Sequence, residues 1–196
     1  MEKPRCSSRA RLAVLGIGFI ASISAESTES LKGCYPITLD DVAQLNPPTF
    51  AQYPAARVDL KPSKVDIASN PLARRFRTMI RMQAPKGPNF AGHYTIAYWG
   101  CGVACIRFAI IDAATGTVYS PPQRLKYVTA DHVSFGPNEP RENLPGLRYE
   151  VDSRLLIVLG APNEDDAREG IAYYQWTGKS LQPVRWFKSN KAWCAR

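Results

Sequence analysis

The chain has 196 residues, of which 45% are hydrophobic and 21% are charged, and its formal net charge is +8. This length is enough for one domain with a sizeable core. The positive charge permits attraction to anionic polymers or head groups of a cell envelope but is too modest to indicate a nucleic-acid-binding protein.

Residues 1–25 have the order of features that is typical of a cleavable secretory signal peptide. Four basic residues and one acid begin the chain, an uncharged apolar run extends from Leu12 to Ser24, and small residues continue to Ala25. The apolar run is shorter than the roughly 20 residues that a membrane-crossing helix needs. We therefore expect a periplasmic or secreted protein whose mature chain carries a charge of +5 and no membrane span.

The cysteine count agrees with export. Cleavage removes Cys6 and leaves four cysteines, an even number that favours disulfides in an exported protein. Three pairings are open in principle; we expect Cys101–Cys105, which lie in one tight turn, and Cys34–Cys194, which would join the two ends of the mature chain. The C-x3-C spacing has no second cysteine pair and no histidine cluster beside it, so neither a metal nor a cofactor is expected.

Residues 26–70 are rich in proline and are predicted to form irregular chain, with one short helix over Leu39 to Leu45 that Thr38 caps. A clearer helix is predicted over 71–83, because Asn70 is a good N-cap and Pro71 suits the first helical position. Its apolar side chains form one stripe, so the helix is expected to cover one face of the remaining domain.

The same helix carries a row of basic residues. Arg74, Arg77 and Arg81 are spaced i, i+3 and i+7, so a continuous helix would place them on one face. Guanidinium groups bind phosphates and carboxylates in bidentate fashion, which makes this row a candidate anion-binding surface, although a solvated helix face has the same pattern.

From Gly92 onward the sequence predicts strands. Short runs rich in β-branched and aromatic residues are joined by turn sequences, interrupted by a Pro-rich connection from Pro121 to Pro145. The predicted strands are His93–Trp99, Ile106–Asp112, Thr117–Ser120, Leu147–Val151, Arg154–Leu159, Ile171–Trp176 and Ser180–Trp186. We therefore expect a mainly β (α+β) protein, in which residues 71–196 form a single domain with an antiparallel meander of about seven strands. The meander closes as a barrel, a sandwich or a propeller-like sheet, and the sequence does not distinguish these.

The run from Gly87 to Tyr94, which reads GPNFAGHY, is followed by Trp99-Gly100-Cys101-Gly102, Cys105, Asp112, Thr115-Gly116 and Val118-Tyr119. This pattern resembles a family of uncharacterised exported bacterial proteins, and the segments 71–77 and 152–156 are also similar to it. The resemblance covers most of residues 70–178. It implies a shared fold and export, and it implies no activity.

Few residues are candidates for chemistry. His93 is a candidate general acid or base, with Tyr94 or Asp112 as a partner that the fold could bring near it. A histidine that stabilises its own chain segment through local hydrogen bonds would give the same pattern. His132 lies in Asp-His-Val-Ser, where neighbouring residues of a strand point to opposite faces and therefore do not form a triad. The acidic loop from Asn163 to Gly170 does not match the spacing of a calcium loop and is expected to be a solvated turn.

Two functions remain open. The first is a non-catalytic binding or inhibitor-type protein, expected to be a monomer, that binds an unknown envelope protein or polymer. Periplasmic inhibitors of lysozymes are an analogy that rests on export and β architecture alone. The second is a cell-envelope hydrolase that uses His93 as acid and base. The absence of a credible catalytic set in the sequence favours the binding protein over an enzyme.

Overall fold

The computed structural model describes residues 28–30, 37–131, 133–134 and 146–189, with the backbone alone described at 28–30. Nine strands lie in this part of the chain. They are β1 (Thr28–Ser30), β2 (Tyr94–Gly102), β3 (Cys105–Asp112), β4 (Val118–Tyr119), β5 (Val128–Thr129), β6 (Leu147–Tyr149), β7 (Leu155–Pro162), β8 (Gly170–Trp176) and β9 (Leu181–Lys188).

The strands form one sheet in the order β1-β9-β8-β7-β5-β3-β2, with β4 beside β3 and β6 beside β7. All pairs are antiparallel except β1 and β9, which run parallel with Thr28 opposite Trp186. The sheet is open, with β1 and β2 as its edges. The short strand β5 joins the two halves, since it pairs with the start of β3 and the end of β7.

The open sheet folds back on itself so that its two halves face each other. Tyr94 of β2 and Trp176 of β8 are separated by three strands in the sheet order, yet their rings lie 5.3 Å apart. The inner faces of both halves form one core. Its buried members include Ile96, Phe108, Ile110, Leu156, Val158, Ala172, Tyr174 and Trp176. Burial of these apolar faces is the main force that holds the two halves together.

The outer face of each half is covered by a different segment. The outer side chains of β7, β8 and β9 pack against the chain from Ile37 to Tyr53. Two short helices, α1 (Pro71–Arg75) and α2 (Arg77–Gln83), cover the outer side chains of β2 and β3. Strands that are buried on both faces contain nearly continuous apolar runs, and β7 is buried at all eight positions.

The mainly β (α+β) fold class predicted from the sequence is confirmed, with differences in detail. The 3-10 helix Leu39–Leu45 begins after Thr38 as predicted, and Asn70 caps α1 by accepting a bond from the Ala73 amide at 2.9 Å. The predicted helix 71–83 is divided at Phe76, whose ψ of 28° lies outside the helical range and whose ring packs 4.7 Å from that of Trp99. The sheet is not a simple meander, because β1 and β5 add two strands that the sequence did not predict.

Candidate functional site

The structure brings together the three residues that the sequence nominates for chemistry. His93 precedes β2, Tyr94 is the first residue of β2, and Asp112 is the last residue of β3, directly opposite Tyr94 in the register. His93 Nε2 lies 3.6 Å from Asp112 Oδ1, and the two side chains are 31% and 12% exposed. The hairpin register therefore creates a histidine–carboxylate pair at one end of the sheet.

A tight segment before β2 fixes the position of His93. Phe90 and Tyr94 exchange backbone bonds of 3.0 and 2.9 Å, and the amide of Ala91 donates to the Ser153 carbonyl at 3.1 Å. Gly92 has φ of +86°, and a Cβ there would collide with the carbonyl oxygen of Ala56. Glycine is therefore needed at position 92 both for the positive φ angle and for the close approach of the Ala56 carbonyl.

Asp112 stabilises the turn after β3 in addition to lying near His93. Its Oδ1, the atom that faces the imidazole, accepts bonds from the amides of Ala114 at 2.8 Å and Thr115 at 3.3 Å. These bonds stabilise the turn that leads into β4, a pattern that aspartate commonly provides at turns. The carboxylate is thus an oriented acceptor behind His93 with little exposure of its own.

Tyr94 lies between His93 and the aromatic core. Its ring centroid is 4.2 Å from that of His93 and 5.3 Å from that of Trp176, and its hydroxyl donates to the Gly178 carbonyl at 3.4 Å. Burial raises the pKa of Tyr94, and the charge of Asp112 raises it further. Tyr94 therefore remains protonated at neutral pH and acts as a hydrogen-bond donor rather than as a base or nucleophile.

His93 and Tyr94 line an open cleft of about 360 Å³ between the start of β2 and the β8–β9 turn, and Asp112 is not among its lining residues. Its other lining residues are Pro54, Ala55, Ala56, Ala91, Arg154, Trp176, Thr177 and Gly178. The exposed Arg154 Nε donates to the Pro54 carbonyl at 3.2 Å, which holds the guanidinium beside the cleft. The Thr177 hydroxyl is used within its own turn, where it accepts from the Ser180 amide at 3.1 Å.

Arg154 is a charged residue of the cleft that the sequence does not single out for function. It falls at the start of a predicted strand and within the segment 152–156 of the resemblance, and neither of these signals indicates a binding role. Its approach to His93 depends on the packing of the 50–56 segment against the β6–β7 turn, where Ala55 and Arg154 donate to the carbonyls of Asp152 and Tyr53 at 2.7 Å. Such long-range contacts leave no signal in a local pattern.

The predicted Cys101–Cys105 disulfide is present, with a Cα–Cα distance of 5.1 Å, at the tip of the β2–β3 hairpin. Cys34, Cys194 and His132 lie outside the described residues, so the second predicted pair and the role of His132 stay predictions. The described residues hold no group of three or more side chains able to bind a metal.

The acidic loop and the arginine row lie outside the cleft that His93 and Arg154 line. In the acidic loop, Asp165 accepts from the Ala167 amide at 3.0 Å and forms an ion pair of 3.2 Å with Arg168, so its carboxylate is used locally. Arg74 belongs to α1 and donates to the Ala68 carbonyl at 3.4 Å, whereas Arg77 and Arg81 belong to α2. The break at Phe76 thus divides the predicted row between two helices.

No family model, curated protein or solved structure matches the chain. Within the described residues, no helix has the length and apolar character needed to cross a membrane.

Proposed function

We propose that the protein is an exported, non-catalytic binding protein that holds an anionic group of an envelope polymer or envelope protein in the cleft between His93 and Arg154. One observation carries this proposal: the two basic side chains that line this cleft can donate hydrogen bonds. His93 offers an imidazole and Arg154 a guanidinium, while the Tyr94 hydroxyl donates to the Gly178 carbonyl. Such a set suits the oxygens of a carboxylate, phosphate or sulfate.

The arrangement of the acceptors supports binding over catalysis. The Asp112 carboxylate is committed to the amides of the following turn, and the Thr177 hydroxyl is committed to the β8–β9 turn. Among the described residues that line the cleft, no serine or cysteine is present to act as a nucleophile. The formal charge of +5 that would remain after cleavage of residues 1–25 also favours an anionic partner.

The binding test uses the histidines as reporters. The chain has two histidines, so a His132→Gln background leaves the His93 ring as the only imidazole signal in an NMR spectrum. Acetate, inorganic phosphate and sulfate are then titrated separately. We expect at least one of them to shift the His93 signals in a saturable way, and Arg154→Gln to weaken that binding by about tenfold, the loss of one charge-assisted contact.

Arg77→Gln is the matched control, because Arg77 is also exposed but lies on α2 and does not line the cleft. Its binding curve should coincide with that of the parent. A shift without saturation, or an equal loss in Arg77→Gln and Arg154→Gln, contradicts the proposed site.

Export is tested by expression in a bacterial host and sequencing of the exported product. The proposal requires an N-terminus at or near Glu26, since the small residues before it fit a signal-peptidase site. A product that stays in the cytosol with residues 1–25 attached contradicts the exported location.

A second function, hydrolysis with His93 as general base toward water, is favoured by the 3.6 Å approach of Asp112 to the imidazole. A carboxylate in this position orients a catalytic histidine in many hydrolases. Turnover of chromogenic p-nitrophenyl esters or purified peptidoglycan that disappears in His93→Gln supports this function. Saturable anion binding without turnover supports the binding protein.

A further inference from the structure

The positive charge of the chain is concentrated in one segment. Residues 61–86 carry seven basic residues and one acid, a formal charge of +6, whereas residues 26–60 and 87–196 together carry a charge of −1. All seven basic residues are exposed. They are Lys61, Lys64, Arg74, Arg75, Arg77, Arg81 and Lys86. The basic character of the chain after residue 25 is therefore a property of this segment.

Residues 61–86 form one layer on the outer face of β2 and β3, which we call the basic layer. The layer consists of irregular chain, the helices α1 and α2, and the turn after α2. Its apolar side chains pack against buried outer residues of the sheet such as Ala97 and Ala109. These apolar residues include Val65, Ile67, Leu72, Phe76, Met79 and Ile80. Because the apolar side of the layer faces the sheet, its basic side chains are left on the solvent side.

The charges of the basic layer are not compensated by carboxylates of the protein. Among the described residues, no Asp or Glu forms an ion pair with any of the seven basic side chains. Asp66 is the one acid of the layer, and its Oδ1 accepts from the Ala68 amide at 2.9 Å. Like charges on one face repel one another, so a partner with several negative charges on its surface would relieve this repulsion.

The basic layer contains a depression of about 530 Å³ between residues 61–65 and the end of α2. Three of its lining residues are the cations Lys61, Lys64 and Arg81. The other lining residues are mostly apolar and are Pro62, Ser63, Val65, Ala84 and Pro85. Cations around an apolar surface match a phosphate group that is attached to a hydrocarbon chain.

Ser63 holds the first of these cations beside α2. Its amide donates to the Ala113 carbonyl at 2.8 Å, and its hydroxyl donates to the Ala114 carbonyl at 2.6 Å. Both acceptors belong to the turn after β3, so the chain that carries Lys61 and Lys64 is tied to the sheet. The cationic lining of the depression is therefore assembled before any ligand binds.

Met82 indicates which kind of anionic partner fits the basic layer. It follows Arg81 on α2, lines one cavity with Lys86, and is 65% exposed. A soluble polyanion offers nothing for this apolar side chain to contact. At the surface of a bilayer, by contrast, acyl chains lie just below the charged head groups, so cations and an apolar side chain are both accommodated.

We propose that the basic layer docks the protein on the surface of an anionic phospholipid bilayer. Lys61, Lys64 and Arg81 bind head-group phosphates at the depression, and Met82 enters the boundary between head groups and acyl chains. Each Lys or Arg that is held near such a surface adds to the affinity. The depression and the His93 cleft share no lining residue, so this inference does not rest on the proposed anion site.

Cosedimentation of the exported protein with vesicles tests the proposal. One set of vesicles contains equal parts of phosphatidylglycerol and phosphatidylcholine, and the other contains phosphatidylcholine alone. We expect binding to the anionic set only, and loss of that binding at high ionic strength, because salt screens exposed charges. The triple variant Lys61→Gln, Lys64→Gln, Arg81→Gln should bind the anionic vesicles about a hundredfold more weakly at low ionic strength.

The matched control is the triple variant Arg124→Gln, Lys126→Gln, Lys179→Gln. It removes the same amount of charge at three exposed positions outside the basic layer. Its affinity for the anionic vesicles should stay within about threefold of the parent, since only the overall charge has changed. Thermal unfolding of both triple variants checks that each is folded.

Met82→Ser separates a bilayer from a soluble polyanion. It should weaken vesicle binding severalfold, because an apolar contact with the bilayer is lost, and it should leave the binding of dextran sulfate unchanged. Val58→Ser is the control for this variant, since Val58 is another exposed apolar residue, at 44% exposure, and lies outside the basic layer.

Several results would overturn the proposal. Anionic vesicles that bind no more tightly than neutral ones would do so, as would equal losses in the two triple variants. Dextran sulfate that binds more tightly than the anionic vesicles, with no effect of Met82→Ser on either, would show that the partner is an acidic polymer. Arg154→Gln should leave vesicle binding unchanged, so failure of the anion cleft and failure of the basic layer are distinguishable.

Discussion

The side-chain amide of Gln83 takes the place of a neighbouring strand for Tyr98, because it accepts from the Tyr98 amide at 3.2 Å and donates to the Tyr98 carbonyl. Both backbone groups lie at the end of α2 in a part-buried contact. The pair links the end of α2 to the sheet edge, so a single side chain joins the helical layer to the β core.

The first prediction concerns this contact. Gln83→Ala should lower the free energy of unfolding by about 1–3 kcal/mol, because it leaves a backbone donor and acceptor without partners. Urea denaturation followed by tryptophan fluorescence measures the change. Gln182→Ala is the control, since Gln182 is an exposed glutamine of β9. Equal effects of the two substitutions would show that the Gln83 contact adds little.

The second prediction compares two glycines with similar backbone conformation. Gly116 has φ of +79° and lies against Lys64, whose carbonyl oxygen would collide with an added Cβ, whereas Gly87 has φ of +89° and open space around it. Gly87→Ala should cost about 1–3 kcal/mol from backbone strain alone. Gly116→Ala should cost more, because the segment carrying Lys64 and Asp66 must also move.

Thermal unfolding of both glycine variants checks this order. The additional loss in Gly116→Ala should include the bond from the Asp66 amide to the Gly116 carbonyl, which is 2.8 Å long. If Gly87→Ala proves the more damaging of the two, close approach of the 64–66 segment is not what requires glycine at position 116.

The third prediction is a pH dependence. Burial raises the pKa of Tyr149 from 10.0 to about 12, and the nearby Tyr98 contributes. Between these values the unfolded chain has released a proton that the folded protein keeps, so stability falls as pH rises through this window. Tyr149→Phe has no phenol to ionise, and its ring retains the edge-on contact with Phe90. The variant should therefore lose less stability than the parent, by about 2 kcal/mol, between pH 9 and 12.

Urea unfolding at pH 9 and at pH 11.5 measures the difference for both proteins. Other groups that titrate in this range are common to the parent and the variant, so they cancel in the comparison. Equal losses of unfolding free energy in the two proteins would mean that folding does not raise the pKa of Tyr149.

The fourth prediction concerns the cysteines. The mature protein should show no free thiol under denaturing, non-reducing conditions, since Cys101–Cys105 is formed and Cys34–Cys194 is the expected second pair. Mass mapping of the unreduced protein identifies both pairs. The double variant Cys101→Ser, Cys105→Ser should lose at most about 2 kcal/mol, because the closed loop is short. Two free thiols in the native exported protein would contradict the second pair.

The parts of the fold that follow from local signals were predictable. Asn70 and Pro71 mark a helix start, and the turns at 113–116 and 177–179 mark hairpins, because their residues adopt turn conformations with few alternatives. The register of the first hairpin brings Asp112 to Tyr94 and His93. The sequence therefore implied two residues that line the candidate cleft, His93 and Tyr94, and the carboxylate of Asp112 next to them.

The rest depends on contacts between distant segments. β5 is two residues long and exists because Val128 and Thr129 pair with both Ile106–Cys105 and Pro162–Ala161. The division of the helix at Phe76 accompanies packing of that ring on Trp99, and Arg154 reaches the cleft through the 50–56 segment. Each of these arrangements is decided by tertiary packing, which overrides local propensity.

The parallel pairing of β1 with β9 has a consequence for the order of assembly. It joins Thr28 to Trp186, residues at nearly opposite ends of the chain. A polypeptide that emerges N-terminus first must hold the β1 segment unpaired until β9 has appeared. Contacts so distant in sequence slow folding. Completion of this sheet edge therefore follows the synthesis of β9, and until β1 pairs with it the edge of β9 is open to pairing with other chains.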